Sequence, residues 1–249
     1  MKNKILSFVL ALCLVMPCAL VFSACGDKEK EPADAAIYVG TATELTTAIA
    51  DATATDVIKL TANIDLESKI TIESKVTINL NGKTLTAVND IAGDGIFMVI
   101  ENGELTIEGD GVVNSATQSN DYSMAIWARN GGKVIINGGT FTNVGAKDFE
   151  DNGTVANNNE LIYASVDGEI IINGGVFVGN TENETYGARF TLNKKDGSNG
   201  SIIVKGGTFK EYNPSASLSE NPVANFVAEG YKVQSAEVEG ATWYTVVAE

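Results

Sequence analysis

The residues that most often carry chemistry are sparse in this chain, and what is missing decides as much as what is present. There is no histidine. A serine or cysteine nucleophile driven by an imidazole base is therefore excluded, as is histidine-ligated zinc. The arginines are Arg129 and Arg189 alone. Carboxylates are plentiful, and the acid–base candidates are Asp94, Asp110, Asp148, Glu150, Asp151 and Asp167. Hydrolysis by carboxylates needs two of them, one to donate a proton and one to activate water. Asp94 and Asp110 stand beside glycines in turn-like contexts, and no Asp-Asp or Asp-x-Asp pair falls on a strand. The densest acidic stretch, Asp148-Phe149-Glu150-Asp151-Asn152, offers oxygen ligands of the kind calcium takes. It lacks the spacing of a dedicated calcium loop, so it reads first as a solvated loop and only weakly as a calcium site. No catalytic set, no metal set and no resident cofactor is expected.

An aromatic constellation is more promising. Three apolar segments, Ile96–Val99, Ala125–Ala128 and Leu161–Ala164, align with one another and place Met98, Trp127 and Tyr163 at one position. Alternation along a strand sends their flanking residues inward and these three outward. Tyr122 and Tyr186 lie in adjoining stretches, and Arg129 follows Trp127 by two residues. A row of exposed aromatics can stack against the apolar C–H faces of sugar rings. The competing reading is that the same side chains pack beneath long insertions or support one another as a ladder. Trp127, Tyr163, Tyr122 and Arg129 are the candidate ligand-binding residues.

What must position them is a repeat. VIINGGTF at Val134–Phe141 returns as IIINGGVF at Ile170–Phe177 and IIVKGGTF at Ile202–Phe209. Looser copies begin at Val76 and Leu105, giving a period of 29 to 36 residues. Self-similarity at such a period marks a solenoid. The segments bearing Met98, Trp127 and Tyr163 each begin nine residues before the next copy. A fixed offset of that kind is expected of stacked strands. From Val57 onward apolar and polar residues alternate with a β-branched bias, the pattern of half-buried strands. Asn137-Gly138-Gly139 and its counterparts supply corner residues, and Phe141, Phe177 and Phe209 are expected to stack inside. Phosphate cradling by these glycines is disfavoured because no helix opens after them. Polar, variable stretches collect between the copies, and in solenoids such insertions gather on one side, often the binding side.

The two ends differ from the middle. Thr41 with Glu44 forms a capping box, and Leu45, Ala48, Ile49 and Ala52 share one helical face. A short amphipathic helix there would cover the first copy. Tyr231–Val238 and Thr242–Val247 read as a hairpin around Glu239-Gly240 that would cover the last. Ahead of all this, Lys2, Lys4 and the apolar run Ile5–Leu20 form a targeting segment. Its end, Ser23-Ala24-Cys25, resembles the lipobox of bacterial lipoproteins, with Phe22 where Leu is usual, whereas Cys18 fits poorly. That resemblance implies cleavage before Cys25 and acylation of it. Several chains hold a protein on a membrane durably where one does so marginally. Cys13 and Cys18 would leave with the signal, so no internal disulfide is expected. The expected organisation is a signal over 1–24, a flexible tether over 25–36, a capped β-helix over 37–222 and a capping hairpin over 223–249.

Charge narrows the partners. The chain carries −15, and loss of the two signal lysines takes it to −17. Nucleic acid is disfavoured, because its backbone calls for clustered Lys and Arg. Acidic polysaccharides would need a bridging divalent cation. Solubility at a surface is the plain explanation of the charge.

Taken together, the helical cap at Glu44–Ala52, the VTINLNGKTLT copy, the three GG[TV]F copies and the AEGYKV…TWYTV terminus resemble the pectin-lyase-like proteins of bacterial surfaces. The resemblance implies an all-β fold, a right-handed parallel β-helix, over nearly all of the chain after the signal. It does not name an activity, because that fold hosts lyases, hydrolases, esterases and adhesins. Its lyases use a basic residue with carboxylate-held calcium, which here would be Arg129 or Arg189, and neither has a carboxylate cluster on its own strand. Its hydrolases use neighbouring aspartates, which are lacking. The expected function is a lipid-anchored, extracytoplasmic, non-catalytic binding module for a glycan or another surface protein, with carbohydrate first. A polysaccharide lyase or glycoside hydrolase, and a passive envelope protein, are the alternatives.

Overall fold

Short β-branched strands separated by glycine-bearing turns cannot each bury an apolar face alone, so they must stack. They do so in three sheets. The computed structural model describes residues 36–88, 95–115, 124–144, 149–151, 154–156, 160–179, 190–217, 219 and 224–249. The chain divides into Met1–Ala33 and Asp34–Glu249, and the second unit holds every described residue. Cys25, Tyr122, Tyr186, Arg189, Asp94 and Asp148 lie outside the described residues.

Among the described residues the fold is all-β apart from one helix, Ala42–Asp51. The first sheet has seven parallel strands in sequence order: Ala36–Val39, Val57–Leu60, Lys75–Asn79, Glu104–Glu108, Lys133–Ile136, Glu169–Ile172 and Ser201–Val204. The copy starts read from the sequence face one another in it: Val76 with Leu105, Leu105 with Val134, Val134 with Ile170, and Ile170 with Ile202. The second sheet stacks Ile70–Ile72, Phe97–Val99, Ile126–Ala128, Ile162–Ala164 and Leu192–Lys194. The third stacks Ile64–Leu66, Lys83–Ala87, Gly111–Asn114, Thr140–Thr142, Val176–Val178 and Thr208–Lys210. From Val57 to Val204 the chain visits the first, third and second sheets in turn before returning. Each copy thus gives one strand to each sheet.

The core is a set of columns running across the copies. Ile58, Ile78, Ile107, Ile136, Ile172 and Val204 are fully buried in the first sheet. Phe141, Phe177 and Phe209 stack with centroids 5.3 and 4.7 Å apart and planes within 12°. Tyr212 continues the stack at 6.2 Å, tilted by 42°. Offset stacking of this sort adds to the burial of three large rings.

The glycines do two different jobs. Only the second of each pair bends the chain through a left-handed conformation, as at Gly139 with φ 89°. The first is needed for space, since a Cβ on Gly174 would stand 2.8 Å from the Asn137 carbonyl oxygen. A second glycine column, absent from the expected repeat, enters the first sheet from the second at Gly103, Gly132, Gly168 and Gly200. A Cβ on Gly132 would lie 2.0 Å from the Val99 carbonyl oxygen, and one on Gly168 2.1 Å from that of Ala128. Backbones of successive copies touch here.

Both ends are covered by their own elements. Thr41 caps the helix, accepting a hydrogen bond from the Glu44 amide at 3.2 Å, and Leu45, Ala48 and Ile49 are buried. Glu44 does not return the bond to Thr41. Its carboxylate accepts from the Gly40 amide at 2.7 Å, one residue earlier than a capping box requires. At the other end Ala241–Ala248 pairs antiparallel with Thr208–Lys210 and with Tyr231–Val238, so the hairpin extends the third sheet. Phe226 is buried and its carbonyl accepts from the Val204 amide.

Connection lengths are unequal. The turns from first to third sheet, such as Asn137–Gly139, and from second to first, such as Arg129–Gly132, stay short. The connections from third to second sheet, 88–96, 115–125, 143–161 and 179–191, carry nearly all the length variation. One of them contains an antiparallel pair, Phe149–Asp151 with Thr154–Ala156, so the acidic stretch expected as a plain loop includes a strand.

Candidate functional site

The second sheet borders those long connections, and its outer face carries the aromatic column. Trp127 is in register with Met98 on one side and Tyr163 on the other, as the alignment requires. The flanking Phe97, Val99, Ile126, Ala128, Ile162 and Ala164 are fully buried. The column therefore faces away from the core, and Thr71 and Asn193 extend it at its two ends.

The outer face is not an open platform along its whole length. Tyr163, expected to be exposed, is only 9% accessible. Asn193 beside it is fully buried, donating to Glu160 Oε1 at 3.1 Å and accepting from the Ser219 hydroxyl at 2.9 Å. Ser219 also accepts from the Lys194 amide, which fastens its chain segment across the end of the sheet. Tyr212 anchors the same segment by donating its hydroxyl hydrogen to the Leu192 carbonyl at 2.8 Å. Burial pushes that phenol well above its ordinary pKa. The chain after Thr208–Lys210 thus fastens to Leu192–Lys194, the strand next to the one that carries Tyr163. Alternation along one strand could not reveal that.

Met98 and Trp127 stay partly exposed. Trp127 donates its indole N–H to the buried Ser165 hydroxyl at 2.8 Å and contacts Tyr163 with centroids 5.8 Å apart. The Arg129 guanidinium carbon sits 4.5 Å from the Trp127 ring centroid. Residues i and i+2 share a face, so the sequence spacing alone brings this pair together. A cation over an indole is attracted by the ring's negative face. Arg129 Nε is buried and has no hydrogen-bond partner among the described residues. The pair is a fixed, half-exposed unit: an aromatic edge, a flat cation and a sulfur-bearing neighbour at the border of the variable connections. Such a unit can hold a ring by stacking and a hydroxyl or anion by guanidinium hydrogen bonds.

The described acidic candidates do not gather. Asp110 lies in an exposed turn at the first-to-third corner. Asp167 lies in a turn at the second-to-first corner, where its carboxylate accepts from the Asn199 amide group and its own backbone N–H donates to Asn199 Oδ1 at 2.9 Å. Glu150 and Asp151 belong to the short antiparallel pair. Among the described residues no group of three His, Cys, Asp or Glu is placed to hold a metal ion. Among the same residues no helix is long and apolar enough to cross a membrane. Sequence reading overlooked Glu160, whose burial beside Asn193 has no signal in a strand pattern because both partners come from different copies.

Comparison of the chain with protein-family models, with curated proteins and with solved structures finds no match.

Proposed function

We propose that this chain is a right-handed parallel β-helix, anchored through lipidated Cys25 to the outer side of a bacterial membrane, and that it binds carbohydrate without transforming it. Parallel strands joined by crossovers take the right-handed sense in nearly all proteins, which supports the hand. The three sheets of repeated strands support the helical path. The site is the second-sheet face at the long connections, with Trp127 and Arg129 as its described centre.

The observation that carries the reading is the Arg129–Trp127 pair. An arginine held over an indole at the sheet surface is organised in advance for a ligand. No carboxylate pair accompanies it among the described residues, so binding is favoured over catalysis. The test is a glycan array probed with the purified protein, followed by Trp127→Ala and Arg129→Ala. Each substitution is expected to weaken binding of a retained glycan at least tenfold. Arg129→Ala should leave the unfolding free energy within about 1 kcal/mol of the parent, whereas Trp127→Ala, which strips the buried Ser165 hydroxyl of its partner, should cost about 1 to 3 kcal/mol. A silent array, or loss of stability in place of loss of binding, would leave a passive envelope protein. Unsaturated product from uronate polysaccharide with calcium would instead establish a lyase. Mass spectrometry of the mature N-terminus tests the anchor, and Cys25→Ala should release the protein from membranes.

A further inference from the structure

The outer face of the first sheet is unlike that of the second. No long connection borders it, and its in-register side chains form clean rows. One row reads Lys75, Glu104, Lys133, Glu169 in consecutive strands. Lys75 meets Glu104 at 3.0 Å and Lys133 meets Glu169 at 3.3 Å. These four side chains remain between 26 and 53% accessible. The adjacent row begins with the exposed Ala36 and continues through Val57, Thr77, Thr106, Ile135, Ile171 and Ile203, these six half-buried. Parallel sheets are ordinarily covered on both faces, and three stacked outward isoleucines are the residues such a cover would meet.

We infer that this face is an interface between two copies of the chain, packed sheet to sheet about a two-fold axis parallel to the strands and passing between Glu104–Glu108 and Lys133–Ile136. The charge row selects both the partner and the axis. Read backwards, Lys-Glu-Lys-Glu becomes Glu-Lys-Glu-Lys. The two-fold therefore sets Lys133 against Glu104 of the second copy and Lys75 against Glu169 of the second copy, each twice. The same rotation lays Ile135 on Thr106, Ile171 on Thr77 and Ile203 on Val57 of the second copy. It sets Glu108 against Asn137 and Asn79 against Asn173. One like-charged contact results, Lys59 with Lys205, also made twice, at the edges of the face. An axis moved onto either central strand sets like charge against like within the row. An axis moved to the next gap leaves two of the four charges without a mate. Only the central gap pairs all four, so the register is unique. Faces packed at about 10 Å leave room for lysine and glutamate side chains to meet across them. A self-complementary patch is what a closed dimer requires, and the charges specify register more than they add affinity.

Sedimentation equilibrium of the full chain in a density-matched mild detergent tests this. A dimer is expected at about 50 mM NaCl, with Kd rising at least tenfold at about 1 M as the charges are screened. Lys133→Glu should raise Kd at least tenfold. Combining Glu104→Lys with Lys133→Glu should restore the dimer, because the two exchanged charges again face each other, opposite in sign, across the axis. Within one copy that exchange puts like charges side by side, so rescue can come only from the second copy. Lys75→Glu, at the most accessible position, serves if the Lys133 variant loses its circular dichroism signal. A monomer up to about 100 µM at low salt, a dimer indifferent to Lys133→Glu and Lys75→Glu, or no rescue by the exchange would overturn the inference.

Discussion

Gly132 is the residue on which the least substitution would tell the most. A Cβ there would lie 2.0 Å from the Val99 carbonyl oxygen, with the Ile100 amide nitrogen at 2.8 Å. Nothing flexible can yield, because both atoms are backbone in the neighbouring copy. Gly132→Ala is expected to cost more than about 4 kcal/mol or to prevent folding, the range reached when packed backbone must move. Gly82 is the matched control: its Cβ would meet nothing within 4 Å, but its φ is 71°. Gly82→Ala should cost only the left-handed penalty, about 1 to 2 kcal/mol. Chemical denaturation of both variants separates close approach from backbone conformation. The sequence made the NGG glycines conspicuous by repetition. It hid the Gly132 column, because Asn-Gly, Asp-Gly and Asn-Gly-Gly at Asn102, Asn130, Asp167 and Asn199 read as ordinary turns. What the turns need glycine for is the strand of the copy before, which lies about thirty residues away.

At the scale of elements, strands owe their stability to columns more than to their own pairing. Val176–Val178 has three residues, too few to persist alone, yet it carries the middle ring of the phenylalanine stack. Phe177→Ala should destabilise by about 3 to 5 kcal/mol, since both stacking partners lose contact and the cavity is enclosed. Phe177→Leu should recover at least half of that. If calorimetry shows the alanine variant within about 1 kcal/mol of the parent, the stack is ornamental. These columns were legible in advance because strand period and copy period are both written in residue types: Met98, Trp127 and Tyr163 align in register. Exposure was not legible. Tyr163 is buried although alternation points it outward, and its neighbour Asn193 is held by Ser219, far along the chain. Likewise the helix was readable from Thr41 and its apolar face, while the choice of Gly40 by Glu44 depends on how the preceding strand enters. Contacts set by a distant segment leave no periodic trace.

For the molecule as a whole, the repeating part and the variable part are physically separate. Hydrogen bonds between copies, the glycine contacts and the buried columns fix the three sheets, whereas the connections over 88–96, 115–125, 143–161 and 179–191 contribute length without altering any register. Lengthening a loop costs little, about 0.6 kcal/mol per doubling. Insertion of about ten Gly and Ser residues after Asn152 should therefore lower the unfolding free energy by less than about 1 kcal/mol. The same insertion after Gly131 should unfold the protein, because it forces apart the Gly132–Val99 approach. Protease resistance and thermal melting of the two insertion variants check the contrast. The confinement of variation to one corner also has a meaning for descent. A lineage carrying this chain can rewrite its outward vocabulary by gaining, losing or shuffling segments between the third and second sheets. Each trial begins from an intact scaffold, so new recognition can arise in steps that never pass through an unfolded ancestor.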